Sequence, residues 1–321
     1  MITETNEPGE EKKQIEDLAN CCALESTEII AGTTTGIAKN YNLLKHIYSP
    51  ILIVEEAAEV YEAHILTSLT KTTQHLVLIG DHQQLRPNPA IYDLIQYNLD
   101  LSLFERLLNN NIEYKTLTFQ RRMRPEISKI IKLIYPHLDD HKCVVKYPHV
   151  RSVEKDLFFF NHKFQESTND AIQSKYNSEE AKIIVRFAKY LLQQNYDHTQ
   201  ITILTLYAAQ IFEIKRIIRG LGYVNDSLNQ IKVINVDNFQ GEENDTIILS
   251  LVRSNKDNQI GYLKVSNRVC VALSRAKFGF YLFGNADCLF NAKNASPEQK
   301  KLWFNVLNTL LKMSSLEKNL C

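Results

Sequence analysis

Short apolar runs that stop abruptly at polar clusters recur along the chain, and they set the reading of everything between them. Ile51-Leu52-Ile53-Val54 is four apolar residues, three of them β-branched, running into Glu55-Glu56. Such a run predicts a strand buried on both faces of a parallel sheet. His75-Leu76-Val77-Leu78-Ile79 is a second run, ending in Gly80-Asp81-His82-Gln83-Gln84-Leu85-Arg86-Pro87. Further strands are predicted over residues 28–31, 114–117, 157–160, 201–204, 231–236, 246–252 and 280–283. Helical spacing predicts helices over 57–69, 99–109 and 177–192, the last with Ala181, Ile184, Val185, Ala188, Leu191 and Leu192 on one face. The final helix has its start written in the sequence: Ser296 as N-cap, Pro297 at the first turn and Gln299 completing a capping box. Trp303, Val306, Leu307, Leu310 and Leu311 form its apolar stripe. Residues 1–20 read as a polar tail or frayed helix, and residues 161–176 as a loop. The class is α/β.

Composition narrows this only slightly. The 321 residues carry 37 Lys plus Arg against 37 Asp plus Glu, so any basic surface has to be local. The six cysteines include no C-x-x-C pair, which excludes a zinc finger and gives no disulfide framework. That fits a reducing compartment, cytoplasmic or nuclear. No apolar run is long enough to span a bilayer, and the polar N-terminus does not read as a signal peptide, so no membrane association is expected.

The polar clusters carry the chemistry. Carboxylates at the end of a buried parallel strand sit where open α/β sheets place their ligands. Of Glu55 and Glu56, one can hold a magnesium ion and the other can orient or deprotonate a water. The plainer alternative is an exposed acidic helix start, which the helix dipole favours in any case. Gly32-Thr33-Thr34-Thr35-Gly36 gathers three hydroxyls and free backbone N–H groups into one loop, suited to a phosphate backbone or simply to a turn. It is not a P-loop, because G-x-x-x-x-G-K-[ST] occurs nowhere in the chain. A glutamine in the Gly80–Pro87 cluster can hydrogen-bond both a terminal phosphate and an attacking water. Arg121, Arg122 and Arg124 are poorly explained as a solvated surface, since exposed ion pairs contribute little; an arginine aimed at a γ-phosphate contributes far more.

Taken together, Glu55-Glu56-Ala57-Ala58, Gly80-Asp81-x-Gln83-Gln84-Leu85-x-Pro87 and Gln120-x-Arg122-Met123-x-Pro125 resemble motifs II, III and IIIa of superfamily 1 helicases. The last of these is similar to the form in the up-frameshift and senataxin group. The Glu-Glu pair and the Thr-rich loop look most like the NFX-type zinc-finger-containing RNA helicases linked to small-RNA silencing. Thr205-Leu206-Tyr207-Ala208-Ala209-Gln210 resembles motif IV, the run from Asp237 through Asp245 motif V, and Asn267 through Lys277 motif VI.

The resemblance implies tandem RecA-like (P-loop NTPase) domains with parallel sheets. The first, over residues 1–98, is expected to be truncated, with motifs Ib/Ic, II and III. The second spans 99–290, followed by a C-terminal helix over 291–321. The family's P-loop lies upstream of the Thr-rich loop, so the chain is expected to be the C-terminal piece of a larger helicase, its partner being the upstream helicase domain. An ATP cleft between the two domains and nucleic acid across the top are the family arrangement. The implied cofactors are ATP and Mg2+, with Glu55 on the metal, Glu56 on water and Gln84 on the γ-phosphate. Arg122 and Arg275 meet the developing charge. Asp81, Gln240, Gly241, Glu243 and Arg268 bind ATP; Glu243 and Gln240 reach the ribose and γ-phosphate, although the same acids also read as a solvated turn. Thr33, Thr34, Thr35, Arg86 and Tyr207 contact nucleic acid, Tyr207 being equally readable as a packing tyrosine. The expected partner is single-stranded RNA, with DNA as the other candidate, inside RNA-silencing or RNA-decay complexes. Without a lysine on the β/γ-phosphates, a catalytically inactive RNA-binding or scaffold fragment is the alternative.

Overall fold

The computed structural model describes residues 19–221 and 226–316. The expectation for the first 18 residues lies outside them. The chain divides into two compact units, Met1–Tyr114 and Lys115–Cys321.

In the first unit the elements that frame the core are α1 (Thr34–Lys39), β1 (Ile51–Val54), α2 (Glu62–Leu66), β2 (His75–Leu78) and α3 (Leu103–Asn109). β1 and β2 pair in parallel, from Ile51 opposite His75 to Val54 opposite Leu78. Val54, Ala57, Ile65 and Leu103 make the core, with Leu52, Leu78 and Leu107 packed against it. The helix expected over 99–109 is therefore shorter, begins with Ser102 as its N-cap, and packs on the β1 core.

Burial on both faces of β1 does not hold. Leu52 and Val54 face inward, while Ile51 and Ile53 are 55% and 61% exposed. Val77, opposite Ile53, and Ile79 add to this apolar surface. The strand expected over 28–31 does not form; Ile29 is 80% exposed and its segment pairs with no strand among the described residues. The helix expected from Ala57 starts only at Glu62, for a reason that belongs to the site below.

The second unit opens with a two-residue parallel pairing of Phe119–Gln120 with Asp139–Asp140, in place of the strand expected over 114–117. Next come α4 (Pro125–Ile131, with proline in its first turn), β3 (Leu157–Asn161), α5 (Ser178–Gln193) and β4 (Ile201–Thr205). They are followed by α6 (Ala208–Gly220), β5 (Lys232–Asn235), β6 (Asn244–Ser250), α7 (Ser266–Leu273), β7 (Ala276–Gly284) and α8 (Pro297–Lys312). The stretch 161–176 is not all loop: Ser167–Asn169 and Ser174–Tyr176 form a small antiparallel hairpin.

The five strands lie in the order β3-β7-β6-β4-β5, every pair parallel. Period-two alternation sends Ile201, Ile203, Ile248, Tyr281 and Phe283 toward α5 and α6. The intervening Phe159, Leu204, Ile247, Leu249, Phe280 and Leu282 are also fully buried. A sheet covered on both faces is what uninterrupted apolar strands require. The predicted face of α5 is buried at Ala181, Ile184, Val185, Ala188 and Leu191. The Ser296–Gln299 capping box forms as expected, and Trp303, Val306, Leu307 and Leu310 are buried beneath α8. The architecture is α/β with parallel sheets, and among the described residues no helix is long and apolar enough to cross a membrane.

Candidate nucleotide and nucleic-acid sites

In the first unit, the chain leaves β1 and turns at once. Glu56 has φ +51°, a left-handed conformation uncommon for a residue with a side chain. Ala57 N then donates to Ile79 O at 2.8 Å, and Ile79 N donates to Val54 O at 2.9 Å. The loop after β2 is thus stitched to the Glu55-Glu56 turn. Gly80 makes the contact possible, because a Cβ there would lie 2.8 Å from Ala58 N and 3.2 Å from Ala57 N. This close approach diverts Ala57-Ala58 from the helix that alanine would favour. Gly80→Ala is expected to destabilise the first unit by about 1–3 kcal/mol, read as a lower melting temperature, because backbone cannot yield as a side chain can.

Glu55 is exposed at the end of β1, and Glu56 is half-buried beside it. Asp81 accepts from Gln83 N at 3.0 Å and from Gln84 Nε2 at 2.9 Å, so one carboxylate orients the glutamine. Motifs II and III therefore meet at the carboxyl end of this small sheet. Thr33 caps α1, its Oγ1 accepting from Gly36 N at 3.1 Å; Thr34 Oγ1 lies 3.5 Å from His64 Nδ1, and Thr35 is exposed. Arg86 is engaged by two acids of its own unit, Glu105 and, at 3.6 Å, Asp100.

In the second unit, three distant segments converge at the amino edge of the sheet. Arg122 donates to Glu243 and, through Nη1, to Ser274 O at 2.9 Å. Lys277 Nζ lies 2.9 Å from the other oxygen of Glu243. Gly241 turns the loop before β6 at φ +75°, which glycine adopts freely, and Gln240 precedes it half-buried. Arg275 is 1% exposed, donating to Val271 O at 3.1 Å, Glu242 O at 3.3 Å and Ser274 Oγ at 2.8 Å. Sequence pattern alone assigns Lys277 no role; its place two residues beyond Arg275 is the signal that could find it.

Burial alone would raise the Glu243 carboxyl, but hydrogen bonds from Arg122 and Lys277 outweigh it and hold it below the usual carboxylate range. A carboxyl lowered by folding adds stability that is present above its ordinary pKa and lost as pH falls through the lowered one. Glu243→Gln should therefore flatten the acid limb of the melting-temperature profile below about pH 4.5, leaving the neutral region's slope unchanged.

Other arginines serve structure. Arg124 is 4% exposed, paired with Asp156 at 2.7 Å and Glu126 at 2.9 Å, and donates to Pro148 O at 3.2 Å. Arg268 does not join Arg275. Arg268 lies in the first turn of α7 and Arg275 beyond the helix's end at Leu273, and Arg268 pairs at 2.8 Å with Asp237, just past the carboxyl end of β5. Tyr207 is 3% exposed, so its ring offers no face to a base; the packing alternative is realised. Its hydroxyl donates to Ile260 O at 3.2 Å and accepts from Tyr262 N at 3.0 Å. Burial pushes its pKa up to about 12, against the opposing effect of Arg253.

Residues 3–88 and 99–287 match two models each described as an AAA domain, and the chain belongs to that family, within the superfamily 1, up-frameshift-like helicases. It is 45% identical over 89% of its length to the NFX1-type zinc finger-containing protein 1 of Mus musculus, spanning 14% of that relative. It is 40% identical over 92% of its length to the helicase required for RNAi-mediated heterochromatin assembly 1 of Schizosaccharomyces pombe, spanning 29% of it. To regulator of nonsense transcripts 1 of Dictyostelium discoideum it is 31% identical over 83% of its length, spanning 20%. Among solved structures, an arterivirus nonstructural protein 10 helicase complexed with DNA covers 72% of this chain and is covered over 38% of its own, at 15% identity and a TM-score of 0.38.

Proposed function

We propose that the chain forms motor elements of an ATP-dependent RNA helicase that moves on single-stranded RNA. The observation that carries this is the amino-edge cluster of the second unit. There Arg122, Glu243 and Lys277, from three separate segments, form one ion-paired group beside the buried Arg275. Cations preset around a carboxylate suit a triphosphate, because phosphoryl transfer is catalysed mainly by positioning and electrostatics. Gln240, Gly241 and Glu243 form the turn offered to the nucleotide. In the first unit, Glu55 fits Mg2+, which commonly takes one or two carboxylates alongside phosphates and water. When bound, the ion would neutralise phosphate charge. Glu56 would orient the water, while Gln84, braced by Asp81, would contact the γ-phosphate. Thr33, Thr34 and Thr35 would take backbone phosphates, with Arg86 contributing only if its acids release it. Names among the relatives suggest work in RNA-silencing or RNA-decay assemblies.

A second reading has its own support: the 321 residues contain no G-x-x-x-x-G-K-[ST] run. By itself, then, the chain would bind RNA without turning over ATP. The test is RNA-stimulated phosphate release by this chain and by a longer form carrying a Walker lysine. Release by the longer form alone is the expected result. Release by neither would overturn the motor reading.

A further inference from the structure

We propose that Tyr262 is a stacking seat for one base of a single strand, placed at the carboxyl edge of the second-unit sheet. This rests on the RNA-helicase reading above and assigns it a contact in the second unit. Tyr262 is 51% exposed, yet its backbone is held from several sides. Tyr262 N donates to the buried Tyr207 hydroxyl at 3.0 Å, and Trp303 Nε1 donates to Leu263 O at 2.8 Å. Gly261, at φ +54°, packs so closely that a Cβ would meet Tyr207 Oη at 2.7 Å. An aromatic ring held out on a fixed turn loses little freedom when a ligand covers it.

The ring borders an open groove of about 230 Å³ whose walls include Ile172, Ser174, Asn235, Asp237 and Arg268. The guanidinium carbon of Arg268 lies 4.7 Å from the Tyr262 ring centroid. Two hydrogen bonds to Asp237 hold that group in place, Nε to Oδ1 and Nη2 to Oδ2, both at 2.8 Å. The guanidinium lies over the phenol ring, and a half-exposed aromatic braced in this way is a surface on which an unpaired base stacks. Lys264, two residues beyond Tyr262, is exposed and would meet an adjoining phosphate, whereas Lys175 donates to Thr168 Oγ1 at 2.6 Å.

Position supports the same occupant. β4 leads to β5 on one side, and β6 returns on the other, so the strand order reverses between β4 and β6. Ligands of open α/β sheets bind outside the carboxyl ends of strands at such a reversal. The groove lies outside the carboxyl ends of β4 and β5, beside that reversal and not at it, whereas Arg122, Glu243 and Lys277 lie at the amino edge. The signal for it in the sequence is weak, an aromatic between Gly261 and Lys264.

The test is fluorescence anisotropy of a labelled oligouridine titrated with the full chain at two salt concentrations. Tyr262→Ala should weaken binding by about 5- to 150-fold, the range for losing one base–aromatic stack, with the salt dependence unchanged. Tyr262→Phe should bind as the parent does, and Tyr262→Leu, which keeps apolar bulk, should resemble Tyr262→Ala. Lys264→Gln should instead lower the salt slope by about 0.7. Melting curves matching the parent's show that the variants fold; should Tyr262→Ala melt early, Tyr262→Leu carries the comparison. Parent-like affinity in the folded leucine variant would overturn the seat while leaving RNA binding intact. Displacement of the strand by excess AMP would overturn it in favour of a free-nucleotide site. A parent chain that binds no single strand would sink the broader RNA reading and the seat together.

Discussion

Replacing Arg122 with alanine in a form of the protein that turns over ATP is expected to slow turnover by about 10³- to 10⁵-fold, the scale set by arginine fingers. The side chain is 28% exposed and its partners are a loop carboxylate and one carbonyl. Its loss should therefore leave folding nearly intact, and the melting temperature should move by little. Arg122→Lys should restore little of the rate, since an ammonium cannot reproduce the fork that spans Glu243 and Ser274 O. Single-turnover phosphate release separates the outcomes. A loss below tenfold in Arg122→Ala would remove this residue from the chemistry. Arg275 is a less clean probe. It is 1% exposed and donates to two carbonyls, so Arg275→Ala would unsettle the fold as well as the rate.

The second large effect concerns stability. Glu180 is fully buried, accepting from His162 Nε2 at 2.7 Å, from the Ser250 hydroxyl and from Val252 N at 3.1 Å. Val252, a β-branched residue, is held at φ +67° just past the end of β6. Such a conformation costs about 1–3 kcal/mol and persists only where the surroundings enforce it. Glu180→Ala is expected to destabilise the second unit by about 3–5 kcal/mol, as breaking a buried pair does. That corresponds to a melting temperature lower by roughly 6–20 °C. The double variant Glu180→Leu with His162→Leu should lose less than the sum of the two single changes, because no polar partner is stranded. Strict additivity would show that the two side chains do not act as a pair.

Much of this fold was legible because its signals are local. Period-two and period-3.6 spacing located the second-unit strands, α5 and α8, and the Ser296–Gln299 box fixed where α8 begins. Failures arose where a distant segment decides. Ala57-Ala58 has every local reason to continue as a helix, but the backbone of Gly80 lies against it and Ile79 O takes the Ala57 N–H. Ile51-Leu52-Ile53-Val54 looks buried on both faces, yet alternation can be read only once the cover of each face is known. The arginine cluster was visible as a cluster. Which member is structural depends on Asp156, far along the chain, which takes Arg124 and leaves Arg122 to Glu243. Tyr207 is the same kind of case: its burial follows from Arg253 and the Gly261 turn, neither of which its own neighbours announce.

The strand order has a consequence for synthesis. β3 hydrogen-bonds to β7, with Leu157 opposite Phe280, and Phe159 bridges to Leu316. Both neighbours are translated long after β3 itself. At ribosomal speeds of about 5–20 residues per second, Leu157-Phe158-Phe159-Phe160 would wait on the order of ten seconds for its ladder to arrive. During that interval the nascent chain carries an unpaired, strongly apolar segment, a natural binding site for a holding chaperone.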